Sequence, residues 1–230
     1  MSDSNPNNPE DIESDSENDF LDGLAWNEFD WEKYLREQDD AVFRYLGFYE
    51  TFAKDSERLT KISQCMGWIL PDDAEENTDA DDNDFDEPYT IQKNCIFVST
   101  KAIYLNLTRA WERIADSAAR VPQKLALDYL AALHRGESNA MLAIHALDYG
   151  DYAMTVSLFK RALGDLNRTL TLIDEKAARL SPALSQYRER ALPQIFDLRE
   201  IWLEMTHECR QAIEHAHAAD SEDVDADADE

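Results

Sequence analysis

The sequence predicts an all-α fold: an antiparallel bundle of four or five long helices, with disordered acidic termini and an acidic loop. Three observations carry this. Apolar residues recur at steps of three and four through most of residues 31–219, the spacing of one buried helix face. Gly and Pro are scarce, at 6 and 7 of 230 residues, against the turn-rich habit of all-β chains. And 27 of the 49 acidic residues lie in three segments, 1–30, 71–88 and 220–230, that hold no Lys or Arg. The other 22 acids meet all 22 bases, so the body is neutral and the net charge of −27 resides in an arm, a loop and a tail. Blocks of like charge self-repel and cannot bury apolar area, so disorder is expected of them.

The first element is the acidic arm, residues 1–30. Its second half, FLDGLAWNEFDW, sets Phe20, Leu24, Trp26, Phe29 and Trp31 among carboxylates. Two readings compete: aromatics packed onto the body, or an acidic–aromatic motif that docks a protein partner. A helix or helix pair follows over 31–69, with Leu35, Val42, Tyr45, Tyr49, Phe52, Leu59, Ile62 and Met66 on one stripe. Pro71 and the acidic loop 71–88 end it. The next helix spans 91–119, although CIFVSTKAIYLNL is β-branched enough to mimic a strand.

Pro122 suits the start of a third helix, because the donor it lacks would have no partner there. That helix, 122–149, is apolar on most sides, as central helices are. Gly150 permits a reversal and Asp151 a cap for a helix reaching Leu180. Ser181-Pro182 opens the last helix, which runs to about Ala218 with a bend expected at Pro193. Short connections make neighbours in sequence antiparallel neighbours in space.

Within 139–163, Leu142-Ala143, Gly150-Asp151-Tyr152, Phe159 and Ala162 sit where a tetratricopeptide hairpin has its paired small and apolar residues and its turn. The stretch resembles one such hairpin. It departs at Asn139, Ala146 and Thr155, and no second copy stands at the ~34-residue period. The resemblance implies a helical hairpin and carries no binding groove with it.

Glu204-Met-Thr-His207 has the Glu-x-x-His spacing of di-iron bundles, but only one copy exists. Ile195, Leu198, Trp202, Met205 and Cys209 define the core stripe of that helix. At 100° per residue, His207 and Glu204 stand about 180° and 240° from Leu198, toward solvent. His134, His145, His215 and His217 form no ligand pair, and DADDNDFDE (79–87) has Asp84 where a calcium loop needs glycine. No phosphate loop or nucleophile elbow is present. Cys65, Cys95 and Cys209 lie among apolar residues, as small buried thiols do.

No catalytic residue, metal or cofactor is therefore expected. The expected function is that of a non-enzymatic interaction protein, a scaffold, adaptor or chaperone-like binder of an unknown protein partner. Phe20, Leu24, Trp26, Phe29 and Trp31 are the candidate contacts. The alternative is a bundle enzyme or ligand-binding protein whose site assembles only in three dimensions. Pairing of the bundle into a homodimer is a further expectation. Nucleic acid is disfavoured by the charge, mimicry of nucleic acid by the flexibility expected of the acidic segments. No membrane contact is expected, since no apolar run reaches ~18 residues. The acidic start lacks the basic-then-apolar order of a targeting segment, which with reduced thiols places the chain in the cytoplasm.

Overall fold

The computed structural model describes residues 26–68 and 91–226, and all of its regular structure among these residues is helical. None of these helices is long and apolar enough to cross a membrane. The chain divides into two compact units, residues 1–40 and 41–230. Helix α1 (Glu28–Thr51) begins in the first and ends in the second. In the second unit there follow α2 (Arg58–Met66), a 3-10 turn (Ile91–Lys93), α3 (Cys95–Ala115), α4 (Gln123–Asp148), α5 (Tyr152–Leu172), the single turn α6 (Glu175–Ala178) and α7 (Pro182–Ala226).

The core of the second unit is a ring of four long helices: α3 packs on α4, α4 on α5, α5 on α7, and α7 closes back on α3. Cross-helix bonds fix the directions. Trp202 Nε1 donates to Thr100 Oγ1 at 3.2 Å and Tyr187 Oη to the Leu107 carbonyl at 3.2 Å, so numbers rise on α7 as they fall on α3. The antiparallel bundle inferred from sequence is thus present. Trp111, Tyr129 and Tyr187 fill one level of its interior, and Tyr104, Phe159 and Trp202 another. On α4, which packs on both α3 and α5, the buried Ala132, Gly136, Ala140 and Ala143 are small residues that let neighbouring backbones approach.

Local signals set the boundaries. Asn94 accepts from the amides of Ile96 and Phe97, and this cap starts α3 as a helix despite its β-branched residues. Asp151 Oδ1 accepts from Met154 N at 2.9 Å, and Ser181 Oγ from Leu184 N at 3.2 Å. Between α4 and α5, Gly150 takes φ 75°, and the amides of Gly150 and Asp151 return to the carbonyls of Leu147 and Ala146. That is a Schellman stop, which needs a left-handed residue.

Of the two readings of 31–69, the helix pair is the one present, as α1 and α2. Three expectations are corrected. The 151–180 segment is α5 plus the turn α6, so among the described residues there are more helical pieces than four or five. Asp174 accepts from Ala177 N at 2.8 Å, and this new cap separates α6 from α5. Helix α7 continues past Ala218 to Ala226, because its alanine-rich end contains no glycine or proline to stop it. Helix α4, apolar on most sides, leaves Leu127 and Leu142 exposed. Cys65 and Cys95 are exposed and only Cys209 is buried; both exposed thiols lie at a helix end, where apolar neighbours in sequence leave the core stripe. The acidic loop 71–88 and residues 1–25 and 227–230 lie outside the described residues.

Candidate functional site

Of the five aromatic and apolar residues singled out in the arm, Phe20 and Leu24 lie outside the described residues, and Trp26, Phe29 and Trp31 surround the start of α1. Asn27 caps that start. Its Oδ1 accepts from Phe29 N at 2.8 Å and Asp30 N at 3.2 Å, while Asp30 Oδ2 receives the Asn27 amide at 3.1 Å. The two side chains satisfy each other's backbone donors, a capping box built from Asn and Asp. Trp26, just outside the cap, and Trp31, one turn inside, then meet edge to face with centroids 5.0 Å apart. This is the apolar staple that fixes the angle at which the chain enters a helix. Tyr34 joins both rings, at 5.4 and 6.1 Å.

The three described aromatics therefore differ in role. Trp26 and Trp31 hold the helix start together. Phe29 stands two residues from Trp31, about 200° around the helix, and is 81% exposed against 42% for Trp31. The signal for the cap is present in the sequence as Asn-x-x-Asp bracketed by two tryptophans. Lys33 and Arg36, the bases of this stretch, pair within their own helix with Glu37 (3.8 Å) and Glu32 (2.8 Å).

The second unit contains a polar centre that no spacing rule pointed to. Asp197 on α7, 3% exposed, receives one edge of the Arg58 guanidinium of α2 in a bidentate pair, Nε at 2.7 Å beside Nη2, and also the Tyr49 hydroxyl from α1. The Arg58 Nη2 reaches the Pro193 carbonyl at 3.4 Å and its Nη1 the Asp55 carbonyl at 3.2 Å. Burial, with the hydrogen bond to Asp197, keeps the Tyr49 phenol far above its usual range; Tyr45 is raised by burial and by the same carboxylate. Asp197 in turn raises Arg58. Both carboxylate oxygens of Asp197 are thus occupied by donors that stay protonated at neutral pH. Such a group fastens α1 and α2 to α7.

The histidine and carboxylate candidates stay apart. Glu204, His207, His134, His145 and His215 are exposed, as the helical count places Glu204 and His207. Among the described residues no group of three or more His, Cys, Asp or Glu side chains could hold a metal ion. Although Cys95 is exposed by surface area, the atoms packed around its sulfur desolvate it and raise the thiol, the reverse of what a nucleophilic cysteine needs. Comparison with protein-family models, with curated proteins and with solved structures finds no match to this chain.

Proposed function

We propose that the chain is a non-enzymatic interaction protein, a scaffold or adaptor, and that the start of α1 with its acidic arm is the element that meets the partner. One observation carries this reading: Phe29 projects into solvent from a helix end that its own cap and staple have already ordered. Exposing a phenyl ring forgoes ~1.5–3 kcal/mol of burial. Here the neighbouring tryptophans are used in holding the helix and Phe29 is not. A helix ordered before contact also gives up less conformational entropy on binding.

The test is affinity purification from the native host, comparing the full chain with a version lacking residues 1–30, read by mass spectrometry. A partner retained by the full chain and lost from the truncation is the expected result, with an unchanged thermal melt of the bundle. Equal recovery by both baits removes the arm from the contact.

A further inference from the structure

We propose that the chain pairs with a second copy of itself through the outer face of α4, antiparallel and centred on Ser138. This pairing is independent of the role given to the arm.

Exposure and the lack of charge define the face. From Leu127 to Tyr149, the exposed residues within ~40° of Ser138 around α4 are Leu, Ala, His, Ser, Leu, His and Tyr. Leu127, Leu142 and Tyr149 are 61%, 55% and 86% exposed. No Asp, Glu, Lys or Arg falls in this stripe, which is about 33 Å long. Arg135 borders it, and Asp165 of α5 already matches that charge at 3.1 Å.

The order of these residues points to the occupant. Counting outward from Ser138, His134 and Leu142 stand at four, Ala131 and His145 at seven, and Leu127 and Tyr149 at eleven. Each of these levels holds one aliphatic side chain and one ring. An antiparallel copy therefore brings Leu142 level with His134, Ala131 with His145 and Leu127 with Tyr149. A patch that fits itself about a two-fold axis needs this property, and an unrelated occupant does not impose it. A parallel copy would set histidine on histidine and tyrosine on tyrosine, with the helix dipoles aligned. Serine at the centre and alanine seven residues away let the helices approach. Charge agrees: a chain of net charge −27 repels its own copies, so self-contact is favoured where the surface adds no like charge. One helix face buries less than the ~800 Å² per partner of a standard interface, so the pair should be reversible and concentration-dependent.

The experiment is sedimentation equilibrium of the full chain up to millimolar concentration. The mass should rise from the 26.4 kDa of one chain toward twice that value. Ser138→Glu sets two carboxylates together at the axis and should weaken association about tenfold or more. Leu203→Glu, which adds the same charge at an exposed apolar residue of α7, should leave it unchanged. Ser138→Cys should join two copies by a disulfide under mild oxidation, above the wild-type level. Leu142→Cys should not, because its copy stands eight residues away along the axis, about 12 Å, beyond disulfide reach. The mass of one chain at every concentration overturns the proposal. So does association unaffected by Ser138→Glu, or weakened equally by Leu203→Glu. Cross-linking at position 142, or at neither position, overturns the antiparallel centre.

Discussion

The phenol oxygen of Tyr104 on α3 lies 2.6 Å from where a β carbon on Gly136 of α4 would stand. The ring cannot retreat easily, since it stacks on Trp202 with centroids 6.0 Å apart. Among the described residues its hydroxyl has no hydrogen-bond partner. Gly136→Ala should therefore destabilise the bundle: overpacking costs ~1–3 kcal/mol, against about 1 kcal/mol returned by the better helix former. Tyr104→Phe removes both the clash and an unsatisfied buried group, so in that background Gly136→Ala should become neutral or stabilising. Urea denaturation of the four proteins checks it; the same destabilisation in both backgrounds would show that the hydroxyl does not set the glycine.

The Asp197 centre makes a second expectation. Arg58→Met leaves a nearly buried carboxylate without its cation, a loss of about 3–5 kcal/mol. Arg58→Met combined with Asp197→Leu should recover much of it, because a well-packed apolar pair replaces ions at little cost. Chemical denaturation of the single and double variants decides. Additive losses would mean that the two residues do not act as a pair.

Five of the nine tyrosines, at 45, 49, 104, 129 and 187, are raised chiefly by burial. Tyr129 and Tyr187 share a hydroxyl contact of 2.9 Å. In each case the folded chain favours the neutral phenol. The stability this provides is complete below the unfolded value near 10 and is lost as pH rises beyond it toward the folded values. An ultraviolet titration of tyrosinate should show these five ionising late, together with unfolding, and all nine ionising near pH 10 in denaturant. Smooth ionisation of all nine in the folded protein would contradict the packing of the bundle.

Thiol reactivity gives a simpler measurement. Cys65 and Cys95 are exposed and Cys209 is buried, so a thiol reagent should label two cysteines in the native chain and three after unfolding. Fast labelling of three in native buffer would mean that α7 does not seal against its neighbours at Cys209.

Much of this fold could be read from local pattern. The caps at Asp151 and Ser181 and the reversal at Gly150 stand where residue type placed them, because each acts within a few residues of itself. Ile195, Leu198, Trp202 and Cys209 are buried as their spacing required. The Arg58–Asp197 pair spans 139 positions and Tyr49–Asp197 spans 148; no periodicity connects them, and only the folded chain brings them together. The arm falls between these cases. Its aromatic residues were visible, but dividing them into a staple and an exposed ring required the geometry of the first turn.

The closing of the ring by α7 also bears on how the chain is made. Thr100 and Trp202, bonded across the closing seam, are 102 residues apart, about 5–20 s of synthesis at cellular rates. During that interval α3 is completed and α4 and α5 are made, but the surface α7 will cover is open, and Arg58 and Tyr49 await their carboxylate. The α4–α5 hairpin, joined by three residues, can assemble as it emerges. A nascent chain that stalls before Trp202 consequently presents an unsealed apolar seam, the form that chaperones retain and proteases remove.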